Sequence, residues 1–99
     1  MSAQKTKQAV AVRYDSAKES APRVIAKGRG HIAEKILELA RENNVPIHEN
    51  SDLVEMLAMV ELFDKVPPEL YAAVAEVLVW VYKVNQERKS AGLSRSVSR

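Results

Sequence analysis

Gln8-Ala9-Val10-Ala11-Val12-Arg13-Tyr14 is the stretch on which the fold turns. In an extended chain Val10, Val12 and Tyr14 share one face and the small Ala9 and Ala11 share the other, so the spacing predicts a strand. After it, Asp15 to Pro22 is a polar connection with two serines and a proline. Arg23-Val24-Ile25-Ala26 is a second short β-branched run, and Lys27-Gly28-Arg29-Gly30 closes it with turn residues. The two runs are expected to pair.

Beyond this pair the period changes. From His31 to Asn44, Ile32, Ile36, Leu37, Leu39 and Ala40 recur every three or four residues with charged residues between them, which predicts an amphipathic helix ended by Asn43-Asn44. Val45-Pro46-Ile47-His48-Glu49 reads as a third extended segment. Asn50, Ser51 and Asp52 are candidate caps of a second helix carrying Leu53, Met56, Leu57 and Val60, with a capping-box spacing from Asp52 to Glu55 and an expected end near Leu62. Pro67-Pro68 open a third helix whose stripe is Leu70, Val74, Val77, Leu78, Val81 and Val84, broadened by Tyr71, Ala73 and Trp80. The expected fold class is therefore α/β, a small mixed sheet of about three strands covered by three helices in the order strand-strand-helix-strand-helix-helix. The expected domain spans 9–86, between a flexible 1–8 and a disordered basic tail at 87–99, because serine and arginine with few large apolar residues cannot offset the entropy of ordering.

Composition narrows the function classes. The chain has 99 residues, enough for one core, and no cysteine, so disulfides and thiol chemistry are excluded. Its longest apolar run, Val77 to Tyr82, is far short of the roughly 20 residues needed to span a bilayer, and no apolar segment of signal length follows the first lysines. A cytoplasmic protein without a membrane span is expected. The charge is segregated: seven basic against two acidic residues over 1–31, four against ten over 32–84, and four against one from 85 onward. Neither basic end interleaves aromatics with its charges, which argues against nucleic acid as a partner.

A search for chemistry returns little. Gly28-Arg29-Gly30 lacks the third glycine or the following Gly-Lys-Ser/Thr of a phosphate loop and reads as a turn. His31 and His48 are separated by a helix and have no cysteine with which to complete a zinc set, and the serines lie in loops, a cap and the tail. No enzyme, cofactor or metal is expected. Glu49, Asp52, Glu55, Glu61 and Asp64 read as a solvated helix face or a docking surface for a basic partner, and Met56 and Met59 as core fillers.

Three ordered segments carry a resemblance: Ala-Val-Ala-Val-Arg-Tyr-Asp at 9–15, Ala-Pro-Arg-Val-Ile-Ala-Lys-Gly at 21–28, and Pro-Glu-Leu-Tyr-Ala-Ala-Val-Ala-Glu-Val-Leu at 68–78, with Asn-Asn-Val-Pro-Ile between the last two. They resemble the cytoplasmic domain of the FlhB/YscU family of flagellar and type III secretion export switches. The resemblance implies a non-catalytic protein-binding domain at the cytoplasmic face of an inner-membrane export gate, with gate proteins and export substrates as partners. Members of that family cleave themselves within Asn-Pro-Thr-His. At that position this chain reads Gln4-Lys5-Thr6-Lys7, so self-cleavage is expected to be absent.

The chain thus resembles the cleaved C-terminal fragment made as a separate protein. Because the partner strand preceding the cleavage point is not encoded, Ala9, Val10, Ala11, Val12, Arg13 and Tyr14 are expected to present an unpaired edge that accepts a strand from another protein. The resemblance also implies a substrate patch at Ala21, Pro22, Ala75 and Leu78, although Ala75 and Leu78 read equally as core of the third helix. The competing reading is a free-standing regulator or a homodimer through the same edge, which keeps the fold without the secretion role.

Overall fold

The computed structural model describes residues 7–15, 17–88 and 94–98, with side chains through residue 86. Strands β1 (Gln8–Tyr14) and β2 (Arg23–Arg29) pair antiparallel from Gln8 opposite Arg29 to Arg13 opposite Arg23. The register shifts between Ala11 and Val12, which leaves Ile25 as the extra residue of a bulge. β2 runs through Lys27-Gly28-Arg29 where turn residues were read. Gly28 is there for packing, since a Cβ on it would collide with the Ile32 side chain at the start of the next helix. The turn itself falls on Gly30, at φ 58°.

Helix α1 (His31–Glu42) follows the predicted stripe, burying Ala33, Leu37 and Ala40. It ends in a Schellman arrangement: Asn44 takes φ 57°, Val45 N–H donates to the Ala40 carbonyl at 2.8 Å, and Asn44 N–H to that of Arg41 at 3.2 Å. The chain then forms β3 (Ile47–His48) and α2 (Ser51–Leu57). Asn50 is the cap of α2, its side-chain oxygen accepting from Leu53 N–H at 3.1 Å. α2 stops at Leu57, short of Leu62, where the ammonium of Lys27 donates to the carbonyls of Ala58 (2.9 Å) and Val60 (2.7 Å). A lysine there satisfies carbonyls that a longer helix would have bonded internally. A 3₁₀ turn, Pro68–Leu70, leads into α3 (Tyr71–Arg88).

Two cores lie on opposite faces of the sheet. The small face of β1 lets α1 approach, and Ala9 packs with Ala33, Leu37 and Ala40. The branched face carries Val10 and Val12, joined by Val24, by Leu53, Val54 and Leu57 of α2, and by Val74, Val77 and Val81 of α3.

The α/β class, with three helices covering the sheet, matches the reading of the sequence. The sheet is larger than expected: among the described residues it has four strands in the order β2-β1-β4-β3. The fourth, β4 (Ser94–Ser98), lies within the segment read as a disordered tail, and α3 also continues past residue 86. β4 runs antiparallel to β1, from Val10 opposite Ser98 to Tyr14 opposite Ser94, and parallel to β3, with Ile47 opposite Val97 and His48 opposite Ser98. Low apolar content misled the expectation because this strand has pairing on both sides, where backbone hydrogen bonds take the place of hydrophobic patterning.

Candidate functional site

The strand read as a docking edge is largely buried. Ala9, Val10 and Val12 are at most 3% exposed, and Ala11, Arg13 and Tyr14 are half-buried. It is not an unpaired edge. β2 occupies one side and β4 the other, over the whole of Val10 to Tyr14.

The outer side of β2 is also met by the chain itself. Phe63 N–H donates to the Val24 carbonyl at 2.6 Å, Val24 N–H to that of Asp64 at 3.1 Å, and Val66 N–H to that of Pro22 at 2.8 Å. The Arg23 guanidinium adds a bond to the Phe63 carbonyl at 2.9 Å. These bonds hold Phe63 at φ 69°, a left-handed conformation rare for a bulky residue, and the residue is 63% exposed.

Arg13 and Arg23 converge on Glu19. Arg23 Nε lies 2.7 Å from Glu19 Oε2 and an Arg13 terminal nitrogen 3.4 Å from the same oxygen. The Arg23 hydrogen bond holds the Glu19 carboxyl below its ordinary value of 4.5; desolvation opposes this, and the charge of Arg13 adds to it. Arg13 is the weaker partner in distance and leaves Glu19 chiefly to Arg23.

The implied patch residues differ in access. Ala21 is 2% exposed and Pro22 is buried, its carbonyl engaged by Val66. Ala75 is exposed, and Leu78 is half-buried against the larger core. Around Ala75 and Leu78, Tyr71, Val79 and Tyr82 are also exposed, and Glu76 is the one charged residue between Tyr71 and Tyr82. The outer face of α3 is therefore an apolar surface wider than the two positions read from the sequence. The signal was legible in the helix itself, which is apolar nearly all round where a surface helix alternates. Trp80 stands over His48, ring centroids 5.6 Å apart and tilted by 55°.

Met56 and Met59, read as core fillers, are 43% and 83% exposed. α2 ends before its stripe can carry Met59 into the core, so Met59, Leu62 and Phe63 fall on the exposed connection to α3. Of the position aligned with the cleavage motif, Gln4, Lys5 and Thr6 lie outside the described residues. Lys7 is exposed, its carbonyl accepting from Gly30 N–H at 2.8 Å and its ammonium 3.9 Å from Glu34. Among the described residues no group of His, Asp or Glu side chains is placed to hold a metal ion, and no helix is long and apolar enough to cross a membrane.

Residues 4–81 match the model described as the FlhB HrpN YscU SpaS Family. The chain belongs to this family. It is 46% identical over 88 residues to the flagellar biosynthetic protein FlhB of Escherichia coli, aligning with 88% of this chain but 23% of FlhB. It is 42% identical over 84 residues to the uncharacterized protein YlqH of Bacillus subtilis, aligning with 85% of this chain and 90% of YlqH. The fold superposes on the cytoplasmic domain of FlhB from Shewanella putrefaciens with a TM-score of 0.77 and 40% identity, covering 87% of this chain and 67% of that one. The C-terminal domain of PscU gives a TM-score of 0.72 at 27% identity, covering 78% of this chain and 99% of that one. Sequence and fold are thus those of the cytoplasmic domain of flagellar and type III export-switch proteins, and β1, β2 and α3 are the elements that carried the resemblance.

Proposed function

We propose that this chain is a non-catalytic protein-binding domain of flagellar or type III export that takes the place of the cleaved C-terminal fragment of an export switch at the gate. The observation that carries this reading is a domain matching 99% of the PscU C-terminal domain chain whose sequence before β1 reads Gln4-Lys5-Thr6-Lys7. Without the Asn-Pro-Thr-His sequence this chain lacks the motif at which the family cleaves itself, which supports a role that needs no cleavage step. The surface that serves partners is the apolar outer face of α3, with Ala75 and Leu78 toward export substrates.

The test is a pull-down of this chain with an FlhB truncated before the fragment it would replace, together with export of flagellar proteins in a strain carrying that truncation. Association and restored export are expected. Absence of both overturns the reading. The competing reading is a homodimer without the secretion role, and light scattering on the purified chain separates a dimer from the monomer expected here.

A further inference from the structure

From the last turns of α2 to the 3₁₀ turn the chain carries large apolar side chains on its exterior. Met56 is 43% exposed, Met59 83%, Leu62 46% and Phe63 63%, and none of the four belongs to either core. Folding alone gives no reason for Phe63. Its φ of 69° is one that glycine adopts freely and a bulky residue adopts at a cost. The backbone bonds that impose it, from Phe63 N–H to the Val24 carbonyl and from Val24 N–H to that of Asp64, would form equally well with glycine in its place. An exposed apolar residue held in a strained conformation does little to stabilise its own chain and is suited to being covered.

The surrounding charges specify the occupant. From Glu49 to Asp64 the sequence holds five acidic residues and no lysine or arginine. Glu55 and Glu61 are exposed, and among the described residues neither forms an ion pair. The cations that reach this connection from elsewhere are each engaged within the chain: Arg23 by Glu19 and the Phe63 carbonyl, Lys27 by the carbonyls of Ala58 and Val60, and Lys65 by the Ser20 hydroxyl at 3.4 Å. An anionic bilayer and a second copy of the same acidic surface would both be repelled, whereas a segment that sets lysine or arginine beside its apolar residues would be drawn in.

We propose that Met56, Met59, Leu62 and Phe63, flanked by Glu55 and Glu61, form a docking surface for a basic amphipathic segment of another protein. Phe63 is the anchor, because aromatic side chains carry a large share of the energy of an interface, and the two methionines adapt to the shape laid against them. The carboxylates orient the approach and select against acidic competitors. This surface belongs to α2 and the connection after it, whereas the substrate surface of the proposed function belongs to α3, so it adds a second partner and does not depend on the first.

The test is fluorescence anisotropy on the full chain with a labelled peptide of repeating Leu-Lys-Lys-Leu, compared with one of repeating Leu-Glu-Glu-Leu. The basic peptide should bind and the acidic one should not. Phe63→Gly should lower the affinity at least about tenfold while its thermal melt stays at or above that of the parent, so that unfolding cannot account for the loss. The double variant Glu55→Lys, Glu61→Lys should weaken the basic peptide by about tenfold and admit the acidic one. Leu39→Ser removes an apolar side chain 51% exposed on α1, across the sheet from α2, and should leave the affinity unchanged.

Failure of the basic peptide to bind the parent overturns the proposal, as does equal affinity in Phe63→Gly. An equal loss in Leu39→Ser also overturns it, since the peptide would then be adhering to any exposed apolar side chain. Binding to vesicles of phosphatidylcholine and phosphatidylserine that Phe63→Gly abolishes overturns the choice of partner in favour of a membrane, and a dimer that the same variant disperses in light scattering does so in favour of a second copy. Restored export with no peptide binding removes this surface and keeps the role at the gate. Peptide binding without association to truncated FlhB does the reverse.

Discussion

A single carboxylate placed at two positions of the implied substrate patch separates stability from recognition. Ala21 is 2% exposed, so Ala21→Asp puts a carboxyl where it must either stay charged away from water or take up a proton, at a cost of at least about 3 kcal/mol. For a domain of this size each kcal/mol moves the midpoint by roughly 4–8 °C, so Ala21→Asp should lower Tm by roughly 12–24 °C or prevent folding. Ala75 is exposed on α3, and Ala75→Asp costs chiefly helix propensity, about 0.7 kcal/mol or roughly 3–5 °C. Thermal melts followed by circular dichroism read both. Ala75→Asp, folded, then enters the export-restoration assay, where a charge on the apolar face of α3 should abolish restoration. A melt of Ala21→Asp within 5 °C of the parent would refute the buried placement, and full restoration by Ala75→Asp would refute the α3 face as a substrate surface.

Three other changes test the scaffold. Gly28→Ala drives a Cβ into Ile32, forcing α1 off β2, and should cost about 2 kcal/mol in urea unfolding. Phe63→Gly relieves a left-handed backbone while giving up an exposed ring, so it should leave stability unchanged or raise it by about 1 kcal/mol in the same assay. Glu19→Gln should lower Tm at pH 7 and converge with the parent as the pH falls below about 4.5. The folded-state value of Glu19 is depressed, so its contribution is present above the ordinary value and is lost as the pH falls through the depressed one. Melts at pH 7, 5 and 3 check the convergence.

The sequence shows most plainly what depends on local period. α1 is complete in its stripe and its terminal Asn43-Asn44, and β1 in its alternation, because each is specified by its own residues. The end of α2 is set by Lys27, about thirty positions earlier, whose ammonium reaches the carbonyls of Ala58 and Val60; no window around α2 contains that information. The length of β2 turns on Gly28 under Ile32, a contact with the following helix that reads locally as a turn. β4 carries a single large apolar residue, Val97, and no hydrophobic alternation, being specified by the place between β1 and β3. For the site, the segments that carry the family resemblance lie in well-patterned elements, so they were legible. The burial of Ala21 and the breadth of the α3 face were not, since both depend on which surfaces the packing leaves open.

The position of β4 in the sheet also bears on the order of assembly. It pairs with a strand more than eighty residues earlier, a closure that is costly from a random chain. Once β1, β2 and the three helices have formed, only the short segment 89–93 has to close, and the cost becomes small. β4 is therefore expected to dock last, onto a body already folded. In pulse-labelled refolding the amides of β1 that face β2 gain protection from hydrogen exchange first and those facing β4 later, and in the native state the second set exchanges through the release of one strand while the first waits for global unfolding.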